Sequence, residues 1–284
     1  MTCQLAFSSS IGSVMFSDSQ VSTHSVEYHG VQKQFIGGDF LLGGAGHGGV
    51  IGEVFKSLRD PATGDCLVKS TEVSDHIVRF LNTRVTEQAA AASSFILIVA
   101  PQATQNLIWE LHPSTFKSFV LRGNIGTLGS GAELIQIAIE RDKKLGLYSA
   151  PEELVDMVVA GENYLEVATQ SLTVDAQFTL GILHSDKAYL MGDSKIDIVY
   201  GPPAIVKCWN DVAARYRVIA AHAQQIRGEI RAAQRALSSI QFAGLDRTAI
   251  DIIEASQSSI EVNRKQLHRK IDDFCAWYDS LLGR

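Results

Sequence analysis

TCQLAFSSSIGSVMFSD, residues 2–18, predicts the first two strands of a sheet. Gln4–Phe7 and Val14–Phe16 form the arms of a β-hairpin, and the Ser and Gly residues between them suit its turn. The second strand of a hairpin ends beside the start of the first. We therefore expect Asp18, which follows the second arm, to lie next to Thr2.

The order of the later elements favours an α+β fold over an alternating β-α-β fold. Strands and helices come in separate runs, so two pairs of helices can cover the outer faces of two stacked sheets. We expect a four-layer αββα sandwich. After the first hairpin, strands are predicted at Val31–Ile36, Phe40–Leu42, Phe95–Ala100, Asn106–His112, Ser118–Leu121, Phe178–His184 and Asp197–Tyr200, and helices at Val50–Leu58, Ser74–Ala90, Ala132–Lys144 and Pro151–Ala168.

Residues 203–284 differ from residues 1–202 in net charge and in the spacing of their apolar residues. This difference predicts a domain boundary between them. The first part is net acidic and the second is net basic. After the boundary, apolar residues recur only at helical and heptad-like spacing, which predicts an antiparallel helical hairpin. Two roles are open for this extension: packing on the first domain, or oligomerisation and partner binding.

The composition is that of a globular protein with a sizeable core, since 46% of the 284 residues are hydrophobic. No apolar run reaches the roughly 18 residues of a transmembrane helix, and the N-terminal pattern is not that of a signal peptide. The net charge of −6 gives no reason to expect nucleic acid or a membrane as a partner. The four cysteines lack metal-ligand spacing, so we expect reduced thiols, a cytoplasmic protein, and neither metal nor cofactor.

The predicted strands bring several reactive groups to one sheet edge. Lys33 lies at the start of the third strand, so we expect it to meet Thr2 and Asp18 there. Two glycine-rich segments, GGAG and GSG, return to the same edge, and glycines let a backbone pass close to a ligand. The serine of GSG adds a hydroxyl, and its alternative role is to cap the following helix. The candidate site residues are Thr2, Asp18, Lys33, Gly46 and Ser130.

Residues 2–200 resemble the β-type subunits of the proteasome family, which are N-terminal-nucleophile hydrolases. The family fold is the same αββα sandwich that the element order predicts. The resemblance is carried by motifs in the family's order: a threonine start, S-D-S at 17–19, K-x-F at 33–35, D-x-x-x-G-x-A-G at 39–46, SFILIV at 94–99 and GSG at 129–131.

This resemblance implies a threonine endopeptidase with Thr2 as nucleophile. Methionine before a small residue is normally removed, so loss of Met1 would give Thr2 a free α-amine that acts as base for its own hydroxyl. Lys33, as an ammonium, would lower the pKa of that amine, and Asp18 would hold Lys33 charged and oriented. The N–H of Gly46 would contribute to the oxyanion hole.

The same resemblance gives Ser130 a supporting role beside the amine and a water. It also implies a cytoplasmic homo-oligomer, arranged as a ring or stacked ring, that cleaves peptides or unfolded proteins. We expect an ATP-dependent unfoldase or another protein to bind through the C-terminal helices, and no nucleic acid or membrane.

Several departures from the family pattern keep alternatives open, among them shifted glycines near position 46 and the long C-terminal helical extension. The lysine falls one residue early, and TQSLTVDAQF at 169–178 replaces a D-x-x-S-G motif that the family often has. Ser171 and Thr173 stand near the expected places. The alternatives are a catalytically silent structural or binding subunit, which retention of Met1 would favour, and a small-molecule amidohydrolase.

Overall fold

The computed structural model describes residues 3–22, 27–28, 30–99, 107–111, 120–170, 174, 176–243 and 247–284. The predicted residues Thr2, Ser171 and Thr173 lie outside these ranges. Within them, the strands in chain order are β1 (Cys3–Ser8), β2 (Gly12–Asp18), β3 (Val21–Ser22), β4 (Glu27–Tyr28), β5 (Gln34–Ile36), β6 (Phe40–Gly46), β7 (Ser93–Val99), β8 (Leu107–Leu111), β9 (Val120–Gly123), β10 (Ile125–Gly129), β11 (Phe178–His184) and β12 (Lys187–Gly192).

The strands of the described residues form two five-stranded sheets and a small β3–β4 pair. The first sheet has the order β10-β1-β2-β11-β12, and the second has the order β5-β6-β7-β8-β9. Neighbouring strands are antiparallel throughout both sheets. The mixed helix-and-sheet class expected from the sequence is confirmed.

Two pairs of helices lie within the sheet region, a long pair follows it, and two five-residue helices complete the set among the described residues. Their bounds are α1 (Gly48–Ser57), α2 (Ser70–Arg84), α3 (Glu87–Ala91), α4 (Ala132–Lys144), α5 (Leu154–Ala168), α6 (Pro203–Lys207), α7 (Trp209–Ala243) and α8 (Arg247–Leu282). Among the described residues, no helix combines the length and the apolar character needed to cross a membrane.

The two sheets face each other, and helices cover the other face of each. β1, β2 and β10 contact β6 of the second sheet, whereas α4 and α5 pack on the first sheet and α1 and α2 on the second. Side chains alternate accordingly along β6, since Leu41 belongs to the cluster around the first sheet and Leu42 to the cluster under α1 and α2. With both faces covered, every residue of β1 is buried.

The long helices α7 and α8 pack against each other and against the sheet region. α7 contacts α5 and β12, and α8 contacts α5. Three of the heptad-like apolar residues of α8, Leu267, Ile271 and Phe274, are buried in the same cluster as the first sheet. At the end of α8, Lys187 Nζ of β12 donates to Asp279 Oδ2 at 2.8 Å. The extension is therefore joined to the sheet region by a continuous apolar core.

Two predicted elements were wrong in detail, and two strands, β10 and β12, were not predicted. Asp197–Tyr200 is not a strand: the N–H groups of Val199 and Tyr200 donate to the side-chain oxygen of Gln32, so no neighbouring strand pairs with them there. The last strand is β12, at Lys187–Gly192.

The predicted helix Ser74–Ala90 divides into α2 and α3. Val85 is extended, with φ −120° and ψ 141°, and Thr86 caps α3 by accepting from the N–H of Ala89. The strand β10 was not predicted, because the sequence before GSG reads as a glycine-rich loop. It forms the edge of the first sheet, beside β1.

Candidate active site

Asp18 ends β2 beside the beginning of β1. The register pairs Gln4 with Ser17, which places Asp18 one residue further, opposite the first residue of β1. The backbone N–H of Cys3 donates to Asp18 Oδ1 at 2.7 Å. Asp18 is only 1% exposed, so its carboxylate is held inside the protein at the point where the described chain begins.

Lys33 reaches Asp18 from the other sheet. It immediately precedes β5, and its Nζ donates to Asp18 Oδ1 at 2.9 Å and to the backbone oxygen of Gln20. The side chains of Lys33 and Asp18 are 3% and 0% exposed. Burial of a charge is costly unless it is paired and hydrogen-bonded, and this arrangement meets both conditions. The ion pair thus joins the two sheets below the start of β1.

Gly46 is the last residue of β6, two residues after Gly44, which is hydrogen-bonded to Lys33. The N–H of Gly44 donates to the carbonyl of Lys33 at 3.0 Å, which connects this part of β6 to the ion pair. Gly46 has φ +104°, and a Cβ there would overlap the carbonyl oxygen of Ala92. The next N–H, that of His47, already donates to Ala92 at 2.9 Å, and His47 caps α1. A glycine is therefore required at position 46.

Ser130 follows β10 at the same end of the first sheet. Gly129 is paired with Cys3, so Ser130 lies one residue beyond the start of β1. Its alternative role as a helix cap does not hold, because the N-cap of α4 is Gly131, without a side-chain cap bond. Ser130 is exposed. The structure therefore gathers Asp18, Lys33 and the ends of β6 and β10 around the start of β1.

Cys3 is the first described residue of β1, and it is not suited to nucleophilic chemistry. Burial, followed by the nearby charge of Asp18, raises the pKa of its thiol far above the ordinary value. Its sulfur packs beside Gly131 at the start of α4. Because the thiolate is the reactive form of cysteine, Cys3 acts as a core residue.

Two buried glutamines near the site were not identified from the sequence. Gln4 of β1 and Gln34 of β5 are both fully buried between the sheets. Nε2 of Gln4 donates to Ser17 Oγ at 2.7 Å and to the carbonyl of Gly44 at 3.0 Å. A polar residue within a strand ordinarily indicates a solvent face, so no sequence signal distinguished Gln4 from a surface residue.

In the part of the chain that the structure describes, no three His, Cys, Asp or Glu side chains come together as a metal would require. The chemistry that the arrangement offers is electrostatic and acid–base. A buried ammonium, oriented by a buried carboxylate, lies where the chain enters the first sheet. Comparison with protein-family models and with curated proteins gave no match.

Proposed function

We propose that this chain is an N-terminal-nucleophile hydrolase of the proteasome β-subunit type, which cleaves peptide bonds with Thr2 as nucleophile. One observation carries the proposal: Asp18 Oδ1 accepts both the N–H of Cys3, at 2.7 Å, and the ammonium of Lys33, at 2.9 Å. The backbone of Cys3 and a buried cation thus share one carboxylate oxygen, and we propose that Thr2, the preceding residue, lies close enough to use that cation.

The layer order supports the same fold family. Helices α4 and α5, the first sheet, the second sheet, and helices α1 and α2 succeed one another, which is the order of the four-layer αββα sandwich. Alternation along a strand puts every second residue on one face. We therefore expect Thr2 to share the face of Gln4, which is directed toward Lys33 and β6.

In the proposed reaction, Thr2 acquires a free α-amine on removal of Met1. The amine, with an ordinary pKa of about 7.7–8.0, takes the hydroxyl proton at neutral pH while Oγ attacks the scissile carbonyl. The Lys33 ammonium lowers the pKa of the amine, since a nearby positive charge disfavours its protonation.

The remaining residues stabilise what forms after the attack. The N–H of Gly46 donates to the developing oxyanion, a type of contact worth about 10²–10³ in rate. The amine then passes its proton to the leaving amine, and a water, oriented with the help of Ser130, hydrolyses the threonyl ester. This returns the hydroxyl of Thr2 and releases the carboxylic acid product.

We propose a cytoplasmic ring or stacked ring that takes peptides or unfolded proteins, with the α7–α8 pair available to an unfoldase or another protein. Enclosure of the site in an oligomer would restrict it to unfolded chains.

The test is hydrolysis of a set of fluorogenic peptides by the wild-type protein, Thr2→Ser and Thr2→Ala. The serine variant keeps a hydroxyl and should retain measurable turnover, whereas the alanine variant should lose at least about 10³ in kcat/KM. Equal turnover by Thr2→Ala and the wild type would refute the proposal. Turnover of small amides but of no peptide would replace the peptidase by the amidohydrolase alternative.

A further inference from the structure

Gln4 connects the two sheets directly under the ion pair. Its Nε2 donates to Ser17 Oγ on β2 at 2.7 Å, to the carbonyl of Gly44 on β6 at 3.0 Å and, more weakly, to the carbonyl of Lys33 at 3.4 Å. The carbonyl of Lys33 also accepts the N–H of Gly44 at 3.0 Å. A single amide group therefore links the neighbour of Asp18, the backbone of Lys33 and the strand that leads to Gly46.

The chemistry of the partners fixes the orientation of the Gln4 amide. The carbonyls of Lys33 and Gly44 can only accept hydrogen bonds, so the nitrogen of the amide must face them. The opposite orientation would set the side-chain oxygen against two carbonyl oxygens. Since Gln4 is fully buried, no bulk water can replace these bonds.

The glycine at position 43 gives Gln4 the room to cross between the sheets. A Cβ on Gly43 would lie 2.6 Å from Gln4 Oε1 and 2.8 Å from the sulfur of Met15. Both distances are too short for real contacts, so an alanine here would displace the amide. The fit of Gln4 thus depends on a neighbouring strand residue that lacks a side chain.

We propose that Gln4 is a positioning residue that fixes the Lys33 ammonium beside Asp18 and aligns β6 with it; its catalytic significance rests on the function proposed above. The Lys33–Asp18 pair spans two sheets, and within the described residues Gln4 bonds to both sheets next to that pair. Loss of the amide would release the Lys33 backbone and the Gly44 strand together, and the ammonium would move away from the start of β1.

Gln34 provides a matched control. It is equally buried and also crosses between the sheets, donating from Nε2 to the carbonyl of Met15 at 3.1 Å. It passes close to Gly181 of β11, as Gln4 passes close to Gly43. Its side chain bonds to neither Lys33 nor Gly44 in the structure, so Gln34→Met removes a comparable buried amide without touching the ion pair.

The decisive experiment is a double-mutant cycle on the denaturant midpoint of the full chain, at one protein concentration. Lys33→Gln, which keeps a donor for Asp18, is combined with Gln4→Met and separately with Gln34→Met. We expect Lys33→Gln to lower the midpoint in the Gln4→Met background by about half or less of its effect in the wild type, and by its full effect in the Gln34→Met background. The proposal is overturned if the effect of Lys33→Gln is additive with that of Gln4→Met and with that of Gln34→Met. It is also overturned if Lys33→Gln is coupled equally to both.

A second readout separates positioning from a merely structural role. If the ammonium shifts, Gln4→Met should raise the acidic pKa of the kcat/KM profile by about half a unit or more, because the amine loses its cationic neighbour. Gln34→Met should leave that pKa in place, and a shift of the same size in both variants overturns the proposal. Gly43→Ala, which crowds Gln4 without removing it, should shift the profile in the same direction and serves if Gln4→Met fails to fold.

The two proposals fail in different ways. A wild-type protein that hydrolyses no peptide or amide refutes the hydrolase function, whereas the double-mutant cycle measures unfolding and needs no activity. Coupling between Gln4 and Lys33 in an inactive protein would retain Gln4 as the residue that positions the ion pair.

Discussion

Lys33 and Asp18 form a buried ion pair that bridges the two sheets, with 2.9 Å between Nζ and Oδ1. Asp18 is the last residue of β2 in the first sheet, and Lys33 immediately precedes β5 in the second sheet. The contact therefore depends on how the two sheets pack. Both ends of the pair have further backbone partners, the N–H of Cys3 and the oxygen of Gln20. The pair therefore fixes how the first sheet sits on the second at the start of the chain.

Removal of one partner of this pair should be far more costly than removal of a surface pair. Lys33→Met leaves the Asp18 carboxylate buried without its cation, and we expect the free energy of unfolding to fall by about 3–5 kcal/mol. Lys56→Met breaks an ion pair with Glu53 that solvent screens, so this variant should keep nearly the wild-type stability. Urea denaturation of the two variants measures both values. Similar small losses would show that the buried pair does not hold the sheets.

Gly46 should not tolerate a side chain. Its φ of +104° disfavours other residues, and a Cβ would overlap the carbonyl of Ala92. We expect Gly46→Ala to lower the free energy of unfolding by at least about 2 kcal/mol and to abolish turnover. Gly38→Ala is the control, since a Cβ there meets no atom within 4 Å. Thermal denaturation of the two variants measures the difference in melting temperature, and equal melting temperatures would show that position 46 tolerates a side chain.

Two helical glycines should respond to alanine with opposite signs. A Cβ on Gly161 of α5 would overlap the ring of Phe16 on β2, so Gly161→Ala should destabilise the protein by roughly 1–3 kcal/mol. A Cβ on Gly228 of α7 meets no atom within 4 Å, so Gly228→Ala should stabilise by about 0.5–1 kcal/mol through helix propensity. Calorimetry of both variants tests the packing of α5 on the first sheet. Stabilisation by both substitutions would show that α5 does not pack as described.

Glu162 links the sheet region to α7 and should make the stability pH-dependent. It is buried, Tyr216 donates to its Oε1 at 3.4 Å, and burial raises the pKa of its carboxyl despite the nearby Arg227. A raised native pKa means that the native protein keeps a proton that the unfolded chain loses, so this contribution to stability falls as the pH rises from about 4 through the native pKa.

Glu162→Gln remains neutral, so we expect its stability to match the wild type near pH 4 and to exceed it increasingly toward pH 7. Glu133→Gln is the control, because Glu133 is exposed in the first turn of α4. Denaturant midpoints at several pH values show the trend. If the stability difference between Glu162→Gln and the wild type becomes smaller as the pH rises, the native pKa of Glu162 is not raised.

Local patterns in the sequence account for much of the fold. The first hairpin and α4 were predicted because apolar alternation, glycine turns and helical spacing are local properties. The two hairpins also explain why Asp18 and Lys33 meet, since each lies at a strand end near the same edge.

The misassigned elements depend on contacts that sequence patterns do not contain. The segment at 197–200 is apolar enough for a strand, but Asp197 forms only an isolated bridge with Val31. The N–H groups of Val199 and Tyr200 donate to the side chain of Gln32, which is distant in sequence. β10 exists because it pairs with β1, although its glycines weaken any strand signal. Gln4 resembles a surface residue until the second sheet covers it. In all three cases, contacts between residues distant in sequence determine the local structure or the burial.

The most direct test of the central claim, that Thr2 is an N-terminal nucleophile, is the intact mass of the purified protein before and after a threonine-directed covalent inhibitor. We expect a mass without Met1 and one adduct on the wild-type protein, and no adduct on Thr2→Ala. A mass that retains Met1 and gains no adduct would contradict it, because a blocked amine cannot act as the base.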